Sequence, residues 1–463
     1  MEMQDTIAAI ASGHTPSGIG IIRISGPDAV GTAGRLFRPK KGSRSLAETE
    51  SARMRYGDVV FEGEVLDEAL FTVFRAPNSY TGEDVAEINC HGGIGVMQKI
   101  LRAVLCSGAR AAEPGEFTKR AFLSGRMDLS QAEAVMDLIE AGSRMAERNA
   151  VRQLGGGVRD RVKAMKARLL AEIAFVEAAL DDPEHYDLTG YEEVLPARLA
   201  DVHTMIREFL STVSEGRILR DGITAALIGR PNAGKSTLLN ALTGKDAAIV
   251  TDIPGTTRDV LSEELSVGGI PVRLLDTAGI RSGGDTVEAI GVARAKEAAR
   301  EADLLLFLLD TSVLPDENDR ECASFADPAK TVVLLTKGDL PAVIGPEDVK
   351  KAFPHLRDCP SLSVSAAEGR GLAALSDLIT ERFLAGRTGF DEEVVITNER
   401  QAELLRKAED ALLAAETAAK GGFPADVYVL DLTDAAHALG QITGEDAGEE
   451  IIEEIFSKFC MGK

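Results

Sequence analysis

The chain has no run of about 18 apolar residues, the length a bilayer-spanning helix needs, so no membrane span is expected. Nor does Met1 to Ile10 place a basic segment ahead of an apolar stretch, which argues against a secretory signal. Cysteine is scarce. The five thiols (Cys90, Cys106, Cys322, Cys359 and Cys460) are scattered, with no CxxC pair and no disulfide framework, and they read as the reduced thiols of a cytoplasmic protein. Positive charge is also short: 51 basic residues stand against 74 acidic ones, a net of -23. A mean field of that sign repels nucleic acid, so if the chain works on RNA a partner supplies much of the grip.

What is present is ordinary soluble-protein composition, 44% hydrophobic and 27% charged. A length of 463 residues exceeds what one core usually serves, and about two to four domains are expected. Thr6 to about Arg126 reads as short strands broken by turns: Ile19 to Ile24, Val59 to Val65, Ala69 to Phe74 and Val85 to Ile88, with one helix from Ile94 to Leu105. From 127 to about 215 the apolar residues recur at helical spacing, as in Met165, Leu169, Ile173, Val176 and Leu180. The marked breaks there are Gly155 to Gly157 and Asp181 to Gly190.

At Gly222 the pattern switches to apolar strands alternating with helix-length segments: Ile223 to Ile228, Pro271 to Leu275, Leu304 to Leu309, Val332 to Leu335 and Leu362 to Val364. Continuous apolar runs of this kind indicate a parallel sheet covered on both faces. Helical spacing returns after about Arg387 and again in Ile451 to Phe459, which makes the α/β segment an insertion into helical material.

Four motifs in that segment carry chemistry. Gly229 to Ser236 (GRPNAGKS) fits G-x-x-x-x-G-K-[ST] between a strand and a helical run. Its glycines let the backbone wrap a phosphate, Lys235 reaches the terminal phosphates and Ser236 ligates magnesium. Asn232, Ala233, Gly234 and Thr237 complete the loop. Asp276, Thr277, Ala278 and Gly279 end the next strand, where Asp276 holds magnesium through water and the Gly279 amide senses the γ-phosphate. Thr336, Lys337, Gly338 and Asp339 end a later strand. Asp339 accepts two hydrogen bonds from the guanine edge, a pair adenine cannot donate, and Lys337 lays its stem against the base. Ser365 and Ala366, with Ala367, supply a main-chain amide to the base carbonyl. Between these lies a switch-like loop of Thr251, Asp252, Ile253, Pro254, Gly255, Thr256 and Thr257, with Thr257 as second magnesium ligand.

Two departures stand out. The usual guanine motif opens with Asn, which ties its loop to the phosphate loop and also touches the base. Thr336 makes one such bond but does not span both, so weaker affinity with specificity kept is expected. The residue after Gly279 is Ile280, which has no polar group to orient water. Glu288 is the candidate carboxylate for that task, against the alternative of a solvated surface glutamate.

These motifs, with TDIPGTTRD, GIGIIRISGP (18–27), the SYTGEDVAEINCHGG and EPGEFTKRAFLSGRMDLSQAEA segments (79–93 and 113–134) and the terminal CMGK, resemble the bacterial tRNA modification GTPases called MnmE or TrmE. The resemblance covers essentially the whole chain. It implies a multidomain α/β plus α architecture: an α+β folate-binding, dimerising N-terminal domain (1–125), a discontinuous helical domain (126–219 and 385–463), and an inserted P-loop Ras-like G domain (220–384). It implies a potassium-dependent GTPase that works as a homodimer with the flavoprotein MnmG (GidA). Together they add an aminomethyl or carboxymethylaminomethyl group to the wobble uridine of certain tRNAs, using a reduced folate (5,10-methylene- or 5-formyl-tetrahydrofolate). The family's folate contacts fall on Arg23, Glu87, Arg126 and Lys463, and its potassium site on Asn232, Thr251, Ile253 and Thr256. Glu288 matches its water-orienting glutamate. Arg23 and Glu87 also suit a purely structural ion pair, and Cys460 is either a nucleophile or a sulfur that shapes the site. Two other functions remain open on the sequence: a GTP-gated ribosome-assembly factor, and a folate-dependent one-carbon transferase in which GTP is regulatory.

Overall fold

The structure is a computed structural model that describes residues 5–13, 15–40, 45–243, 263–275, 296–384, 394–445, 447–459 and 462. Its architecture is multidomain α/β plus α, with two sheets and a set of long helices. The chain divides into two compact units: Met1–Met136, Leu154–Pro196 and Asp410–Lys463 in one, Asp137–Gln153 and Ala197–Glu409 in the other.

The first unit holds β1 (Ile7–Ile10), β2 (Ser17–Ser25), β3 (Phe37–Pro39), β4 (Arg53–Phe61), β5 (Glu64–Phe74), β6 (Val85–Gly92) and β7 (Arg110–Ala111). They form one sheet in the order β3-β4-β5-β6-β2-β1-β7, antiparallel except where β1 meets β7. Strand alternation puts Ile22, Ile24, Phe71, Val73, Ala86 and Ile88 into one core with the helices Ala29–Leu36 and Ile94–Cys106. The intervening residues therefore take the other face, and Arg23 stands directly opposite Glu87 there.

One expectation fails in this sheet. Val59 to Val65 is not a single strand but the turn of the β4–β5 hairpin, with Phe61 paired to Glu64. Glu62 and Gly63 both take positive φ (50° and 86°), the geometry of a tight hairpin turn, which an apolar-residue count does not register. In the same unit Val162, Met165, Leu169, Ile173 and Val176 of the helix Gly157–Asp181 are buried, and that helix packs on Ala425–Thr443. Ile452, Phe456 and Phe459 close a small core with Met127, Leu129 and Ala132.

Both expected breaks in the helical stretch are present: Gly156 takes φ 95°, and the helix ending at Asp181 resumes only at Tyr191. Two further breaks, at 141–143 and 211–212, had no strong sequence signal. At the first, the Ser143 hydroxyl accepts the Ala146 amide at 3.2 Å and so starts a new helix.

The second unit holds β8 (Ile223–Ile228), β9 (Glu263–Val267), β10 (Ile270–Leu274), β11 (Leu304–Asp310), β12 (Thr331–Thr336) and β13 (Ser361–Ser363). The order is β13-β12-β11-β8-β10-β9, parallel except for the edge strand β9. Every residue of β11 and β12 is buried because both faces are covered. Leu304, Leu306 and Leu308 join the core containing Leu238 and Leu375, while Leu305, Phe307 and Leu309 join the one containing Ala299 and Phe353. In a parallel sheet all strands end on the same edge. The loops after β8, β11, β12 and β13 therefore meet there, and a ligand crevice is expected at that edge.

Candidate nucleotide site and a second cleft

The phosphate loop leaves β8 at Gly229 and enters the helix Lys235–Thr243. Gly229 takes φ 155°, and a Cβ on it would stand 2.6 Å from the Leu308 carbonyl, so only glycine lets the loop pass β11 this closely. Asn232 and Gly234 also take positive φ, 63° and 99°. These reversals wrap the loop around the start of the helix, whose amide end favours an anion. Lys235 Nζ donates to the carbonyls of Gly229 and, at 3.0 Å, Arg230. Burial pushes its ammonium below the usual lysine range. Ser236 is the next residue of the helix, where the sequence puts a magnesium ligand.

The base side of the site follows β12. The Thr336 hydroxyl donates to the Ala233 carbonyl of the phosphate loop at 2.7 Å. Lys337 takes φ 58°, and its ammonium meets the Asp310 carboxylate at 2.6 Å. Burial alone would raise the Asp310 pKa, but hydrogen bonds from Lys337 and Ser312 outweigh it and hold the group at about 2. Asp339 accepts from the Ser365 hydroxyl at 2.8 Å, which keeps its carboxyl below the ordinary range. Ser365 in turn pairs with Arg370 through a two-way main-chain bridge, and the Gly338 amide donates to the Val364 carbonyl at 3.3 Å. Thr336, Lys337, Gly338 and Asp339 are thus brought to Ser365 and Ala366, with Ala367 in the following turn.

In the other unit, Arg23 Nε donates to Glu87 Oε1 at 2.9 Å. The guanidinium lies over two rings, 5.2 Å from the Tyr80 centroid and 5.7 Å from that of Phe117. Its Nη1 is buried without a hydrogen-bond partner among the described residues. A buried donor of that kind costs free energy unless something accepts from it. Beside it opens a cleft of about 540 Å³ lined in part by Phe74, Pro77, Tyr80, Val85, Glu87 and Arg126. Arg126 is fixed by donating to the Ser79 carbonyl at 3.3 Å. Gly462 takes φ 90°, and a Cβ on it would clash with the Ile10 carbonyl, so the main chain at Gly462 itself passes close against β1.

Two family descriptions match: GTP-binding protein TrmE N-terminus over residues 6–126, and MnmE helical domain over residues 129–460. The tRNA modification GTPase MnmE of Lachnoclostridium phytofermentans is 43% identical over 459 residues, covering 99% of each chain. Its counterpart in Carboxydothermus hydrogenoformans is 43% identical over 467 residues and 100% of each. The chain belongs to the MnmE family of tRNA modification GTPases. Among solved structures, Era in complex with MgGDPNP and nucleotides 1506–1542 of 16S ribosomal RNA is 28% identical over 41% of this chain and 66% of that one, TM-score 0.27.

For this MnmE family member, several expected site residues lie outside the described residues: Thr251, Asp252, Ile253, Pro254, Gly255, Thr256 and Thr257 of the switch-like loop, Asp276 to Gly279, Glu288, Cys460 and Lys463. Of the four family folate positions, Glu87 and Arg126 line one cleft, and Arg23 is paired to Glu87 beside it. Sequence reading missed Tyr80 and Phe117 there, and Arg230 and Asp310 at the phosphate loop. Tyr80 had a signal, since it opens the YTGED segment; Asp310 had only its place at the end of an apolar strand. No helix among the described residues is long and apolar enough to cross a membrane.

Proposed function

We propose that this chain hydrolyses GTP as one component of a complex that modifies the wobble uridine of certain tRNAs. The observation that carries the nucleotide half is Asp339, held ionised by Ser365 at the end of β12, with Thr336 of the same motif bonded to the phosphate loop. Asp339 selects guanine by accepting two donors, and Lys235 neutralises the terminal phosphates. Ser236 and Thr257 hold magnesium, which draws charge from the phosphate oxygens. Asn232, Thr251, Ile253 and Thr256 hold potassium, and Glu288 orients the attacking water.

The cleft beside Arg23 takes a reduced folate, which supplies the one-carbon unit. Its fit is chemical: Glu87 accepts from the pterin's amide edge, while Arg23, Arg126 and Lys463 suit the carboxylates of the tail, and the unpaired Arg23 Nη1 has a donor to give. The domains are taken as 1–125, 126–219 with 385–463, and 220–384. The protein acts in the cytoplasm as a homodimer with a flavoprotein of the MnmG type. With a net charge of -23 it leaves most of the tRNA contact to that partner. The decisive test is nucleoside analysis of tRNA from cells lacking this protein. Loss of the modified wobble uridine is expected, and an unchanged profile would remove the reading.

A further inference from the structure

Lys337 and Arg230 sit in different loops, one on the base side and one on the phosphate side, yet both reach the same oxygen. Asp310 Oδ2 lies 2.6 Å from Lys337 Nζ and 3.3 Å from Arg230 Nη2. The other oxygen, Oδ1, accepts from the Ser312 amide at 3.0 Å and the Ser312 hydroxyl at 2.6 Å. Asp310 is the last residue of β11 and only 4% exposed, so the strand fixes where the carboxylate points. Arg230 is held from its far side as well, with Nη1 3.2 Å from Asp316 and 3.8 Å from Asp319.

A buried carboxylate shared by two cations couples their positions, because displacing either leaves charge uncompensated in a site of low polarity. The coupling has a use here. Lys337 occupies the left-handed region, a conformation a lysine keeps only where its surroundings enforce it. Thr336 provides one link between the two loops, where an Asn in its place would also reach the base.

We infer that Asp310 is a positioning residue for the guanine nucleotide: through Arg230 and Lys337 it supplies a second link between the phosphate loop and the base loop. A change at Arg230, on the phosphate side, is then felt at the base. The inference rests on the GTP-binding reading above.

The test uses the full chain with magnesium and potassium, titrated with fluorescent GDP and fluorescent IDP, which lacks the exocyclic amino donor read by Asp339. Asp310→Asn and Arg230→Gln are each expected to raise the GDP Kd about tenfold and to reduce the preference for GDP over IDP about threefold or more. The double variant should bind no more than about twofold worse than the weaker single one, since both break one link. Arg230→Lys, which keeps a cation, should recover most of the preference. Losses that multiply in the double variant, or an Arg230→Gln chain with the parent's GDP/IDP ratio, overturn the inference. Should Asp310→Asn fail to fold, Arg230→Gln and Lys337→Met, singly and combined, carry the same comparison. A parent chain that binds no guanine nucleotide overturns the GTP reading itself, whereas parent binding with unaffected variants overturns only the role of Asp310.

Discussion

The Thr336 hydroxyl donates to the Ala233 carbonyl at 2.7 Å, joining the first residue of the guanine motif to the middle of the phosphate loop. Both residues are buried, Ala233 completely. The same hydroxyl lies 3.2 Å from the Leu309 carbonyl on β11, but a hydroxyl has one proton, so the shorter bond takes it. Threonine therefore does half of what an asparagine does at this position. It pins the loop and, on the proposed reading, leaves the base to Asp339.

Thr336→Val keeps the shape and deletes the donor. The Ala233 carbonyl is then buried without its partner, a loss of about 1–3 kcal/mol shared between loop order and nucleotide binding. Fluorescent-GDP titration should show Kd higher by roughly tenfold. Thr336→Asn should move it the other way. Parent-level binding by the valine variant would dismiss the bond as incidental.

Much of this was legible in the sequence, for physical reasons. The strands β8, β11 and β12 are continuous apolar runs because both their faces are covered, and the motifs fall at their ends because parallel strands end together. The phosphate loop declares itself through Gly229, whose close pass of Leu308 no other residue permits. The hairpin turn at Glu62 and Gly63 was hidden because nothing in an apolar count marks positive φ. Asp310 was hidden for a different reason: its partners Arg230 and Lys337 are about 80 and 27 positions away, and only the fold brings them to one oxygen.

Acidity gives a second handle on Asp310. Its carboxyl is held at about 2 in the folded chain against an ordinary 3.8, so its contribution, of order 2 kcal/mol, is fully present above pH 4. As pH falls from 4 towards 2 the group protonates and that contribution disappears. Urea unfolding should therefore find Asp310→Asn less stable than the parent at pH 6, with the gap closing below pH 4. A gap that stays constant across that range would mean the charge is not what stabilises the loops.

The cleft beside Arg23 makes a prediction that separates the two sites. Arg23→Gln removes the donor with no partner and the charge stacked on Tyr80 and Phe117. Binding of 5-formyl-tetrahydrofolate, followed by calorimetry, should weaken about tenfold or more, while GDP binding holds at the parent value. Equal folate affinity in the variant would leave Arg23 and Glu87 as a structural ion pair only.

The hydrolytic step, as proposed, turns on residues whose roles rest on the family resemblance. Ile280 follows Gly279 directly and has no group to hold a water, so another carboxylate must do so if turnover exceeds a slow intrinsic rate. Glu288 is the one proposed here, and on the same proposal a monovalent cation at Asn232, Thr251, Ile253 and Thr256 would supply the positive charge that an arginine finger brings elsewhere. The two assignments fail differently, which makes them separable. Replacing potassium with sodium should slow GTP turnover by an order of magnitude or more without changing magnesium-dependent GDP binding. Glu288→Ala should bind GTP as the parent does and lose most of its turnover in potassium, with no sensitivity to the cation left to measure. Equal rates in the two salts would strike out the ion site, and parent-level hydrolysis by Glu288→Ala would give the water to a different residue.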